Sequence, residues 1–318
     1  MTPVKRQRRI TLIPESQAQG RVFEIYREIK AALGVPHVNL LFQAYGAYPS
    51  FLELHWQTIR PVLQTTEFFQ YADRLRAEAY TRAHNYFAVP DFCEEVKEMQ
   101  LTPGARQELT GVVELFHYNN PLLLMVVAAQ MQAFDEAPMP QRQSVGPAIH
   151  PVFDQKPCSV PEERATERVK RVYDDIKRTL GLNFINSDYR AFGRFPDFLE
   201  AYWEAMKPAL ALPIYSEHKR KLKESAFSLA AELPSAPQLS IQQMQESGLE
   251  EQVITDIVRI TGQFIDLISG LILNVCFAKI GLEGGTRGDH GSHEKKSAWE
   301  PIQEKASSSR DGGPKRAA

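Results

Sequence analysis

The chain has 318 residues, 43% of them hydrophobic and 24% charged, with a formal net charge of −2 at pH 7. That length allows one large domain or two ordinary ones, and the near-balance of charge gives no general electrostatic reason to expect nucleic acid or an anionic membrane as partner. The three cysteines, Cys93, Cys158 and Cys276, form no CxxC and have no His pair nearby, which argues against a zinc site or disulfide frame and for reduced thiols in the cytoplasm.

Residues 1–17 are expected to form a basic, solvated tail, since Lys5, Arg6, Arg8 and Arg9 are followed by no apolar run of the kind a signal peptide needs. A first helical unit is expected over 18–134. Val22, Ile25, Tyr26, Ile29 and Leu33 recur at helical spacing up to Gly34, which suits a C-terminal cap. After the stretch NLLFQAYGAYP, Pro49 can open a second helix that carries Phe51, Leu52 and Trp56 on one face. Further on, Asn119-Asn120-Pro121 reads as the start of a buried helix over Leu122 to Ala129, an Asn before Pro being an N-cap by default. His117 has no second His at metal spacing.

Residues 135–161 read as a linker, with Pro138, Pro140, Pro147, Pro151, Pro157 and Pro161 excluding continuous helix. A second helical unit is expected over 162–282. Val169, Val172, Tyr173, Ile176 and Leu180 lead to Gly181, and the stretch NSDYRAFGRFP leads to Pro196, Phe198, Leu199 and Trp203. Ile254 to Ile280 is apolar enough to resemble a membrane span, but Asp256, Arg259, Gln263, Asp266 and Asn274 interrupt it, which favours a core helix. Residues 283–318 turn polar and Gly/Ser-rich and are expected to be disordered, taking His290 and His293 with them.

The two units align at an offset of 147, the distance from Asn39 to Asn186. The matches include Tyr26 with Tyr173, Gly34 with Gly181, Gly46 with Gly193, Pro49 with Pro196, Glu53 with Glu200 and Trp56 with Trp203. The expected fold is therefore all-α: two tandem helical repeats of about 130 residues packed as a pseudo-dimer and joined by the Pro-rich linker. Residues shared by both copies are expected to build the scaffold, and departures mark where one copy can specialise. The clearest departure sets Leu40-Leu41-Phe42 against Ser187-Asp188-Tyr189. A carboxylate where the other copy places Leu costs several kcal/mol unless it is compensated. Asp188 is thus a candidate general base or nucleophile, or else Ser187-Asp188 caps a helix begun near Tyr189. Asn119 and Asn120 are either caps or amides that, projecting between the halves, orient a water or polarise a leaving group. There is no GxGxxG, P-loop, GxSxG or HExxH, which disfavours a nucleotide or zinc enzyme.

NSDYRAFGRFPDFLEAYW, its counterpart VNLLFQAYGAYPSFLELHW, the Pro-rich linker and FHYNNP together resemble the group I α-haloacid dehalogenases, the DehI-like family, over roughly residues 20–282. The resemblance implies an all-α pseudo-dimer with its active site between the repeats and no metal or organic cofactor. It implies hydrolysis of a short 2-haloalkanoic acid to a 2-hydroxy acid. Carried over by motif, Asp188 resembles the catalytic carboxylate and Asn120 the amide that helps it hold the attacking water, with direct attack at C2 and inversion. Ser187 and its backbone match the place that receives the substrate carboxylate, with Tyr189 and Asn119 beside it. Phe42, Ala44 and Tyr45 match positions that wall the halide and alkyl side. Asn186 matches D-specific relatives, where relatives accepting both enantiomers carry Ala, so D-specificity is expected, with a non-stereospecific enzyme as the alternative. A site Tyr after the Asn-Pro pair is Leu123 here, and no Tyr follows Tyr215 to fill a second site position, leaving Phe264 or Phe277 for that space. The expected partner is the small-molecule substrate, without nucleic acid or membrane, and with a homodimer left open. From a different class, the same scaffold would serve a non-enzymatic carboxylate-binding protein; a hydrolase removing another leaving group is a third reading.

Overall fold

In a computed structural model of the chain, which describes residues 10–99, 101–135, 144–235 and 237–286, the periodic segments are helices. The basic residues of the N-terminal tail, Pro138 and Pro140, and the segment from 287 onward lie outside the described residues. The first six helices are α1 (Gly20–Leu33), α2 (Leu40–Tyr45), α3 (Pro49–Leu63), α4 (Thr66–Tyr86), α5 (Phe92–Glu98) and α6 (Pro103–Phe134). After a short 3-10 turn come α7 (Glu167–Leu180), α8 (Ser187–Phe192), α9 (Pro196–Leu210), α10 (Pro213–Ala231), α11 (Ile241–Glu246) and α12 (Glu251–Leu282). Among the described residues the only β pairing is an isolated bridge between Thr65 and Pro147, so the protein is all-α.

Local chemistry explains the ends. Gly34 and Gly181 close α1 and α7 in left-handed conformation, with φ of 66° and 67°, where a Cβ would be strained. Pro49 and Pro196 sit in the first turns of α3 and α9, where no N–H is needed. Thr65, Thr102, Thr166 and Ser240 cap α4, α6, α7 and α11 with their hydroxyls.

The same contacts recur on either side of the linker. Trp56 donates to Glu28 and Trp203 to Asp175, both at 2.8 Å; Arg60 pairs with Glu28 at 3.0 Å and Lys207 with Asp175 at 2.7 Å. The Tyr26 hydroxyl donates to the Ile13 carbonyl and the Tyr173 hydroxyl to that of Val160, each at 3.0 Å. Each tyrosine leans on a glycine: a Cβ on Gly46 would lie 2.0 Å from the Tyr26 hydroxyl, and one on Gly193 2.1 Å from that of Tyr173. A side chain at either place would force that hydroxyl to move.

The core is centred on α6 and α12, which are buried over most of their length and pack extensively on each other. Both are apolar and long enough to cross a membrane, but burial inside the protein accounts for that composition. The α6 helix corrects one expectation. Asn119-Asn120-Pro121 does not start a helix but lies inside a 32-residue one. Pro121 forgoes a single i→i−4 bond, and continuous burial of Leu115 to Gln130 on neighbouring helices (His117 apart) keeps the segment helical. Of the short helices, α8 packs on α6 of the first half of the chain, and α2 packs on α12 of the second.

Candidate active site

Asp188 lies in the first turn of α8, where α8 meets α6, and is 2% exposed. Its place in that turn resolves the capping question. In α2, Asn39 is the N-cap and its side chain accepts from the Phe42 N–H at 3.3 Å. In α8, Asn186 holds the same position without a side-chain cap bond, because the equivalent N–H, that of Tyr189, donates to Asp188 Oδ1 at 3.0 Å. The aspartate has taken over the capping bond. Asn186 Oδ1 is consequently buried with no hydrogen-bond partner in the protein.

Asp188 opens on a cavity of about 30 Å³, room for one or two waters. Asn119, Asn120, Asn186 and Ser187 share its lining. Asp188 Oδ2, Asn120 Nδ2 and both polar atoms of the Asn119 side chain are buried without partners in the protein. So many unsatisfied groups around one small space call for a bound polar molecule. Burial pushes the Asp188 carboxyl up to about 7, and the backbone N–H groups of Tyr189 and Asp188 oppose that rise only in part. A carboxylate with that basicity can take a proton from water near neutral pH.

Apart from Asn39, the counterpart of Asn186, the remaining walls are apolar. Leu40 and Leu41 of α2 occupy the places that Ser187 and Asp188 occupy on α8. From α6 come Phe116 and Leu123, on the same stripe as Asn119 and Asn120. The matching stripe of α12 is Phe264, Leu267, Ile268 and Leu271, offset by 148, the distance from Phe116 to Phe264. Every lining position thus has its counterpart across the cavity. Polarity sits on α8 in one set of pairs and on α6 in the other.

Among the residues expected to bind substrate, Phe42, Ala44, Tyr45 and Tyr189 are not in this lining. All four are fully buried behind it. Tyr45 bonds with the Thr261 hydroxyl at 2.8 Å and packs edge-on against Phe51. The Tyr189 hydroxyl accepts from Asn274 Nδ2 at 2.9 Å, and Asn274 Oδ1 accepts from Tyr215 at 2.8 Å, which fixes the residue whose N–H anchors Asp188. Of the two candidates for the space of the missing tyrosine, Phe264 lines the cavity, while Phe277 packs against Phe92 and Tyr202. Leu123 lines the cavity as well.

Comparison with characterised proteins adds to this geometry. The chain is 30% identical to an (R)-2-haloacid dehalogenase of Pseudomonas putida over 84% of its own length and 91% of that protein's. The chain belongs to the DehI family. The family profile, described as halocarboxylic acid dehydrogenase DehI, matches residues 36–189, a span that contains Asn119, Asn120 and Asp188. A second (R)-2-haloacid dehalogenase, from Rhizobium sp., is 25% identical over 72% of the chain and 90% of its own length. Among solved structures, a D-2-haloacid dehalogenase in complex with L-LA superposes with a TM-score of 0.82 at 29% identity, covering 86% of this chain and 96% of the other. A mutant of a D-2-haloacid dehalogenase with D-2-CPA gives the same score and coverage.

Proposed function

We propose that this DehI-family protein is a D-specific 2-haloacid dehalogenase that hydrolyses short (R)-2-haloalkanoic acids to (S)-2-hydroxy acids. The observation that carries the reading is Asp188: a buried carboxylate with Oδ2 unpartnered, beside unpartnered amides, in a cavity of water size. In the reaction, ionised Asp188 Oδ2 takes a proton from water as the water oxygen forms a bond to C2. The carbon–halogen bond breaks on the opposite face, its electron pair leaves with the halide, and configuration inverts. Asn120 and Asn119 hold the water in line, and such positioning is a large part of what a dry site contributes. Ser187 receives the substrate carboxylate, and the Asn186 amide, released from capping, crowds one arrangement of the substituents at C2. Tyr189 acts from behind by fixing Asp188, and Phe42, Ala44 and Tyr45 support the Leu40-Leu41 wall.

The twelve α-helices among the described residues are two copies of one six-helix unit packed as a pseudo-dimer. The parallel order of elements, the repeated Trp–carboxylate and Tyr–carbonyl bonds and the paired cavity lining support this. The free thiols of Cys93, Cys158 and Cys276 support a cytoplasmic setting, and the residues named need no metal or organic cofactor for the step described.

The test is halide release from D- and L-2-chloropropionate supplied separately. Release from the D form, lost in Asp188→Asn, is expected; a fully active Asp188→Asn enzyme refutes the assignment. In a single turnover in heavy-oxygen water, label should enter the product, whereas label in Asp188 would mean a covalent ester. Stabilisation by the acids without halide release would mark a carboxylate-binding protein instead.

A further inference from the structure

The cavity at Asp188 has room for one or two waters, but a 2-haloacid of about six heavy atoms needs several water volumes. The substrate must therefore displace part of the wall. Among the described residues, one part of that wall has open space behind it. Phe264, Leu267 and Leu271 of α12 also line a second, larger cavity of about 440 Å³. Its other side is formed by the Gly181 to Phe184 loop after α7, by Tyr215 and Lys219 of α10, and by Gln263, Asp266 and Asn274 of α12.

Lys219 is the cation of this second cavity. It is half-buried and makes no ion pair among the described residues. The carboxylate in the same lining, Asp266, is already neutralised by Lys223, one turn further along α10, at 2.7 Å. Burial pushes the Lys219 ammonium below its ordinary value, with Lys223 adding to the fall and Asp266 opposing it. A bound anion would relieve that burden.

We infer that the larger cavity is a reception subsite for the haloacid anion, with Lys219 as counter-charge to its carboxylate, and that substrate passes to Asp188 by displacing Phe264, Leu267 and Leu271. This rests on the dehalogenase reading for the identity of the anion. The subsite concentrates a small monoanion one side-chain layer from the base, while the closed layer keeps bulk water off Asp188 between turnovers. The Asn274 side chain faces the subsite on one helix and bonds Tyr189 behind the base, so the two cavities share a rigid wall as well as a movable one.

The experiment follows halide release from D-2-chloropropionate at several ionic strengths in wild type, Lys219→Met and Lys219→Arg. The Met variant is expected to lose about fivefold in kcat/KM at low salt, carried by KM rather than kcat. The loss should shrink below about twofold near 0.5 M salt, and Arg should restore the wild-type behaviour. An unchanged kcat/KM in the Met variant, or a loss carried by kcat and indifferent to salt, overturns the proposal. Leu267→Trp blocks the route without touching the charge; a drop of about tenfold in kcat/KM is expected, and a wild-type rate refutes the passage. Binding is read apart from turnover by titrating D-2-chloropropionate into Asp188→Asn, with and without Lys219→Met. Weakening of about fivefold supports the subsite and equal affinity overturns it, so a wild type that releases no halide counts against the dehalogenase reading alone.

Discussion

Replacing Asp188 by Asn separates the stability of the fold from the chemistry of the site. The Asp188 carboxyl rises from 3.8 to about 7 on burial, so between those values the folded chain holds a proton that the unfolded chain has released. Stability therefore falls as pH rises through that window, because folding favours the protonated form. A shift of about three pKa units corresponds to roughly 4 kcal/mol at most. Asn is isosteric, keeps an oxygen to accept the Tyr189 N–H and carries no charge, so it removes this loss. The variant should gain on wild type from pH 4 to pH 8, approaching about 4 kcal/mol at the upper end. Urea unfolding at half-unit pH steps measures it for both proteins. Activity should climb with an apparent pKa near 7 over the range in which wild-type stability declines, since the base must be ionised to work. Parallel stability curves for the two proteins would show that Asp188 is not desolvated, and the argument for its basicity would fail.

Asn120→Ala should lower kcat by about 10²-fold with a smaller effect on KM, by removing an amide that orients the water; steady-state halide release decides it. Asn186→Ala should admit L-2-chloropropionate, because this amide is not needed as a cap; equal turnover of both enantiomers by wild type would refute the crowding argument. Gly193→Ala places a Cβ 2.1 Å from the Tyr173 hydroxyl and should cost about 1–3 kcal/mol by overpacking. Tyr173→Phe should recover a large part of that cost in the double variant, and strictly additive losses in denaturant unfolding would count against direct contact.

What the sequence revealed depended on how local the determining chemistry was. Gly34, Gly181, Pro49 and Pro196 took their expected places because caps and first turns depend on the dihedral limits of single residues. Asn119-Asn120-Pro121 misled because an isolated helix would start there, whereas packing around α6 outweighs one missing hydrogen bond. Asp188 was legible as a polar departure from Leu41. The neighbours of its counterpart were not, since α2 and α8 have only six residues each. So short an element gives the sequence no way to fix its rotation: positions 40 and 41 face the cavity while Phe42, Ala44 and Tyr45 face the core. The α12 wall looked like any core stripe. Carrying the alignment into α12 at its offset of 148 would have singled it out, because Phe264, Leu267, Ile268 and Leu271 oppose Phe116, Asn119, Asn120 and Leu123.

That opposition also bears on how such a site can change. In the proposed pseudo-dimer a half-turn carries Leu40 and Leu41 onto Ser187 and Asp188, and Leu267 and Ile268 onto Asn119 and Asn120. Trading those four pairs would rebuild the same constellation in the opposite sense, with the base on α2 and the amides on α12. Leu267 borders both cavities, so one of the transplanted amides would stand in the wall shared with the Lys219 subsite. On the subsite inferred above, the approach route for an anion would distinguish the two senses of an otherwise paired lining.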